Sequence, residues 1–396
     1  MNDAHSKMTR RELLEAAAAL ISLSVAGAAS AQATNGQSEA AATRPTTTND
    51  IKSRRDRSMP STVLVTGGTG YVGGWCVVEL LRRGYVVRTT LRNPAKESAV
   101  RAAVATQVAA GDRLSFFTAD LLREEGWNDA LAGCDHVLHV ASPLGGGDVK
   151  EKNALLAPAR DGALRVLRAA IAAGVKRVIM TSAATAATPP MTSPDRISDE
   201  TVWFDPSEDV DPYRHSKRLA ERAAWDFMKG QRSATTFATV LPGAVFGPVL
   251  SSESDGSTEV IARLLQGKVP MNPRFGLQIV DVRDLADLHI RAMTAANAAG
   301  ERFLGVGDFM WMADVSKTLR DELGDAAKAV PKHNMPDILY RLAAMFDPSL
   351  NAMTPRLGKM HRHTAAKAQQ LLDWHSRPAK ATIVDCAKSL IEHKLA

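Results

Sequence analysis

The stretch Val63-Leu64-Val65-Thr66-Gly67-Gly68-Thr69-Gly70-Tyr71-Val72-Gly73 decides how the chain folds. A short apolar strand runs into a turn with glycine at every third place, and an amphipathic helix follows at once. Glycine lets the backbone turn tightly and approach a ligand closely, and the N-terminus of the following helix offers unpaired N–H groups and a favourable dipole. A glycine triplet alone says little, because loops are rich in glycine. Set between a strand and a helix, this G-x-x-G-x-x-G spacing predicts a site for the pyrophosphate of a dinucleotide, with Gly67, Gly70, Tyr71, Val72 and Gly73 around it.

Outward from that turn, short apolar strands are expected at 62–66, 86–91, 114–118, 136–140, 178–181 and 236–241. Helices are expected between them, notably at 73–83, 154–173 and 213–229. Strands that alternate with helices in this way argue for an α/β fold, a doubly wound parallel sheet covered on both faces. The dinucleotide-binding domain should span 59–245. After Pro242 the chain turns Pro- and Gly-rich and then helical, which predicts a smaller, discontinuous C-terminal substrate lobe over most of 246–396. A segment near 275–308, including the strand-like 278–282, should return to the main domain. A substrate would sit in the crevice between the two. The pocket should use 246–268 and Met310-Trp311-Met312, whose methionines and tryptophan fit an apolar substrate and fit a plain core equally well.

Composition excludes several classes. The 396 residues are 23% charged and 45% hydrophobic, as in an ordinary globular protein, and the formal charge is +6. Residues 1–58 carry eight Lys/Arg against six Asp/Glu and supply +2 of that charge. With aromatics at 5% and no basic block interleaved with them, no nucleic-acid partner is expected. Cys76, Cys134 and Cys386 are odd in number and widely spaced, so no metal site is expected and the three read as small buried hydrophobes.

The N-terminus reads as a targeting segment. Arg10-Arg11 precedes an Ala-rich apolar run and a small-residue cleavage site at Ala29-Ser30-Ala31, the layout of a twin-arginine signal peptide over 1–31. Residues 32–58 read as a disordered spacer. That layout places the protein in the periplasm; a start at Met59 would instead leave it cytoplasmic. The apolar run is too short for a membrane span.

The choice of dinucleotide is read at the end of the second strand, in Leu91-Arg92-Asn93-Pro94-Ala95-Lys96. A site for NAD(H) usually places a carboxylate there, about 20 residues past the glycines. Here Arg92 and Lys96 stand instead, cations suited to a 2′-phosphate, so NADP(H) is expected over NAD(H). Further on, Tyr213-Arg214-His215-Ser216-Lys217 sets a tyrosine and a lysine four apart on one face of a helix. An ammonium beside a phenol favours the phenolate and brings its pKa down from ~10, which makes the tyrosine a usable acid or base for a carbonyl or alcohol.

Together these segments resemble the extended short-chain dehydrogenase/reductases, a Rossmann-like group within the NAD-dependent epimerase/dehydratase superfamily, and among them the dihydroflavonol-4-reductase-like carbonyl reductases. Besides the glycine turn and the Tyr-x-x-x-Lys pair, the resemblance rests on Ala119-Asp120-Leu121, His139-Val140-Ala141-Ser142-Pro143, Leu241-Pro242-Gly243-Ala244-Val245-Phe246-Gly247-Pro248 and Val280-Asp281-Val282-Arg283-Asp284-Leu285-Ala286-Asp287. It implies that Asp120 and Leu121 flank the adenine, and that Ala141 and Ser142 line the nicotinamide ribose. It also implies that Tyr213 is the acid, and that Lys217 holds the ribose and tunes Tyr213. An NADPH-dependent reductase of small or medium aldehydes or ketones, reversible as an alcohol dehydrogenase, follows. The alternatives are an NADP-binding protein without turnover and a nucleotide-sugar epimerase or dehydratase. The oligomeric state is not readable.

One departure from the family pattern stands out. In Thr181-Ser182-Ala183-Ala184-Thr185, Ala183 occupies the place where the family sets a serine that donates to the substrate carbonyl. Ser182 could stand in by a shift of strand register, or Thr185 could reach in from the following loop. Neither is a simple replacement, because adjacent strand residues face opposite sides, and the alternatives are a slow reaction or a water or another hydroxyl in that role.

Overall fold

The computed structural model describes residues 60–142, 156–190, 193–203, 212–252 and 256–396. The expectations for 1–31 and 32–58, and for Pro143, lie outside the described residues. The first half of the chain contains β1 (Thr62–Thr66), α1 (Tyr71–Arg82), β2 (Val86–Leu91), α2 (Glu97–Ala105), β3 (Leu114–Thr118), α3 (Trp127–Leu131) and β4 (His136–His139). There follow α4 (Leu156–Ala172), β5 (Arg177–Thr181), β6 (Ile197–Ser198), α5 (Pro212–Lys229), β7 (Thr236–Pro242) and β8 (Ala244–Phe246). Then come α6 (Thr258–Leu265), β9 (Gly276–Asp281), α7 (Val282–Thr294), β10 (Arg302–Gly305) and β11 (Phe309–Trp311). The chain closes with α8 (Met312–Leu323), α9 (Asp337–Ala344), α10 (Pro348–Met353), β12 (Arg362–His363), α11 (Ala366–Leu372) and α12 (Ala379–Glu392).

Seven strands form one parallel sheet in the order β10-β7-β5-β4-β1-β2-β3. The chain runs outward from β1 in one direction through β2 and β3, then crosses back to β4 and runs outward in the other. The expected doubly wound sheet is therefore present. Strand alternation feeds a core on each face: Val63 and Val65 of β1 enter one cluster with α1, α7 and α11, while Leu64 enters the other with α3, α4 and α5. Burial on both faces is what selects parallel pairing with helical crossovers.

The C-terminal lobe has its own core, in which α6, α8 and α12 pack around Phe246, Phe275, Ile279, Met310 and Met312. The two methionines belong to that core, and half-buried Trp311 meets Phe309 edge-on at 5.0 Å. The strand expected at 278–282 lies elsewhere than the main sheet: β9 pairs with β8 and β11 in a separate three-stranded sheet. Within the segment 275–308, it is β10 that joins the central sheet as its seventh strand, after α7 packs on α1. Alternation along β9 explains the ambiguity. Ile279 faces the lobe core and Val280 the central core, so the strand is the seam between them.

Candidate active site

The glycine turn is held by its own backbone and by the neighbouring strands. Gly67 adopts φ 75, a left-handed conformation that suits glycine, and its carbonyl accepts from Gly70 N at 2.9 Å. A Cβ on Gly73 would stand 2.2 Å from that same carbonyl oxygen, so the first turn of α1 closes onto the loop only without a side chain. Helix α1 starts after Gly70, with no side-chain cap and no acidic residue in its first turn. Its orphan N–H groups and positive end are therefore open to an anion, and the cradle fits a dinucleotide pyrophosphate.

Tyr71 and Trp75 fix where α1 sits. The Tyr71 hydroxyl donates to the Gly247 carbonyl at 2.7 Å, and Trp75 Nε1 donates to the Pro248 carbonyl at 2.8 Å. Burial holds the Tyr71 phenol well above its ordinary pKa, so it stays a neutral donor. A cavity of about 140 Å³ opens beside the turn, lined in part by Gly68, Gly70, Lys96, Leu250 and Ser252.

The other expected residues gather at the C-terminal ends of the strands around the point where strand order reverses, between β1 and β4. Arg92 is exposed directly after β2, and Lys96 closes the short turn that follows. Asp120 and Leu121 follow β3; Asp120 Oδ1 accepts from Leu122 N at 3.0 Å, and Leu121 packs on Gly162 of α4. Ala141 and Ser142 follow β4. Ala141 N donates to Thr66 Oγ1 at 3.0 Å, and the same hydroxyl lies 2.9 Å from His139 Nδ1, which binds the ends of β1 and β4 together.

Tyr213 is the second residue of α5, and its side chain lies outside the described residues. Lys217 stands one helical turn later and is 5% exposed. Burial pushes its ammonium down to about 8, and the carboxylate of Glu221, a further turn along, opposes that fall. His139 is pushed down to about 3, by burial first and by the Lys217 charge second, so it is neutral at working pH.

Ser182 is 2% exposed and gives its hydroxyl hydrogen to Glu221 Oε2 at 2.6 Å, on the side of the strand that faces α5. Glu221 is the hub of a buried network absent from the sequence expectations. Its Oε1 accepts from Arg302 Nε and from Thr239 Oγ1, each at 2.9 Å. Arg302 also donates to the carbonyls of Glu200 and Val202 at 2.6 and 2.9 Å, and lies 3.8 Å from the Trp203 ring centre. One signal was available in sequence, since Glu221 continues the four-residue spacing of Tyr213 and Lys217. Arg302 carried none. Thr66 and His139 become partners only through the β1–β4 register, with Thr66 directly opposite His139.

An open parallel sheet with an uncapped helix behind a glycine turn at its switch point defines a dinucleotide-binding α/β protein. The profile of the NAD dependent epimerase/dehydratase family matches residues 63–305, more than half of the chain, and the chain belongs to that family. It is 35% identical over 263 residues to cinnamoyl-CoA reductase 1 of Oryza sativa subsp. japonica, covering 65% of this chain and 75% of the relative. Dihydroflavonol 4-reductase of Zea mays is 33% identical over 256 residues, 61% of this chain and 69% of that one. Among solved structures, Gre2 of Candida albicans in complex with NADPH superposes with a TM-score of 0.69 at 24% identity, over 84% of this chain and 99% of that one.

Proposed function

We propose that this protein is an NADPH-dependent reductase of aldehydes or ketones. The observation that carries the reading is the buried Lys217, one turn beyond Tyr213 on α5, with its ammonium lowered to about 8. A cation held there lowers the phenol toward working pH, which lets Tyr213 give a proton to a carbonyl oxygen. The reduced nicotinamide, when bound, supplies the hydride. Support for NADPH comes from Arg92 and Lys96 at the end of β2, where a carboxylate would stand in an NAD site. The reductase relatives and the NADPH-bound structural neighbour favour the same chemistry over epimerisation.

The test is loss of reduced-nicotinamide absorbance on a panel of aldehydes and ketones, with NADPH and NADH compared, for the protein and for Tyr213→Phe. The expected result is turnover preferring NADPH, with kcat lower by about 100-fold or more in the variant and NADPH affinity retained. Equal turnover by the variant would remove Tyr213 from the chemistry. NADPH binding without any turnover by the unaltered protein would favour the non-catalytic alternative.

A further inference from the structure

The chain sets four hydroxyl groups at the C-terminal end of β5, on Thr181, Ser182, Thr185 and Thr188. Three already have partners. Thr181 Oγ1 lies 2.7 Å from His289 Nε2, and Ser182 donates to Glu221. Thr188 donates to the Ala184 carbonyl at 3.0 Å and lies 2.9 Å from His363 Nε2. Thr185 Oγ1 is buried with no hydrogen-bond partner. A buried hydroxyl left unmatched costs about 1–3 kcal/mol, so its retention calls for a reason. Of the other side chains with an unmatched buried atom, His136 starts β4 at the opposite end of the strands, and Ser198 lies in the β6–β12 ladder, whose His363 meets Thr188.

The place of Thr185 is fixed from the helix that carries Tyr213 and Lys217. Arg218, the residue after Lys217, is 1% exposed and donates through Nε to the Thr185 carbonyl at 2.9 Å and through Nη2 to the Thr188 carbonyl at 3.4 Å. Ala183 is the last extended residue, and the chain then enters a tight 3-10 turn at Ala184–Ala187. That turn is clamped to α5, with an unused hydroxyl two residues beyond the alanine.

We propose that the Thr185 hydroxyl donates the substrate-carbonyl hydrogen bond that Ala183 cannot make. The inference rests on the reductase reading. As hydride adds to the carbonyl carbon, the C=O π pair moves onto oxygen, and that oxygen takes its proton from Tyr213. Thr185 keeps its proton throughout and donates a hydrogen bond to the oxygen as negative charge grows on it. Loss of one such donor typically costs on the order of 100-fold or more in kcat.

The experiment compares kcat and KM for carbonyl reduction by the unaltered protein, Thr185→Val, Thr185→Ser and the double variant Ala183→Ser/Thr185→Val. Valine keeps the shape and removes the donor, so kcat should fall on the order of 100-fold, with NADPH affinity unchanged and a melting temperature equal or higher, since the unmatched hydroxyl is gone. Serine at 185 should keep most of the activity, and the double variant should recover roughly 10-fold or more. Full turnover by Thr185→Val overturns this inference alone. An unaltered protein that reduces no carbonyl overturns it together with the proposed function. Should Thr185→Val fail to fold, Ala183→Ser by itself decides: a gain under about 3-fold means the donor is already supplied, and any larger gain means it was missing and overturns the inference.

Discussion

Glu221 is fully buried, yet it faces two cations, Arg302 at 2.9 Å and Lys217 one turn earlier on α5. A buried pair of this kind is costly to break from one side, because the remaining charge has no counter-ion. Glu221→Gln leaves the guanidinium of Arg302, 6% exposed, with carbonyls and Trp203 but no carboxylate. The variant should be less stable by about 3 kcal/mol, seen as a lower urea midpoint with an unchanged slope. A midpoint equal to that of the unaltered protein would mean the pair is neutral to stability. Residues of this kind were the least legible in sequence. Gly67, Gly73, Tyr213 and Lys217 announce themselves by spacing within one segment, whereas Ser182, Glu221 and Arg302 meet only after β5, α5 and β10 have been brought together. A glutamate on a helix reads as solvated until its neighbours are known.

At the scale of the element, α1 is both the floor of the glycine turn and a strut to the chain after β8. Tyr71 and Trp75 reach the carbonyls of Gly247 and Pro248 from its first two turns. Tyr71→Phe leaves the Gly247 carbonyl without that donor and should cost about 1 kcal/mol, a melting temperature lower by roughly 2–4 °C. No change in melting would mean that water replaces the phenol. Strand limits were legible because alternating apolar runs bounded by turn residues leave little freedom, and β1, β2 and β3 fall where 62–66, 86–91 and 114–118 were expected. Partnership was not. The pattern of 276–281 says that both faces are buried but not which sheet supplies the neighbours, which only the β8–β9–β11 pairing fixes. The two-residue strands β6 and β12 carry no periodicity at all, being too short for one.

For the molecule as a whole, buried histidines shape its response to acid: burial holds His136 and His361 below the ordinary value, and three others lie lower still. Burial lowers His139 to about 3 and His289 and His363 to about 4, against a value of ~6.5 in the unfolded chain. Between those limits the unfolded state binds protons that the native state refuses. Stability is therefore complete above pH ~6.5 and is lost as pH falls toward 4, by about 2 kcal/mol for each histidine at pH 5. Urea midpoints at pH 7 and pH 5 should differ clearly, with the lower at pH 5. Equal midpoints would mean that the rings take up protons in the folded state.

Strand β9 remains. Ile279 and Val280 are adjacent, each 1% exposed, and each is built into a different core. Peeling that strand away would open both cores to water at once, so the lobe cannot melt and leave the sheet intact. The two halves are thermodynamically one object, and a truncated chain ending before Gly276 would inherit a sheet with an unroofed apolar wall and no means to close it.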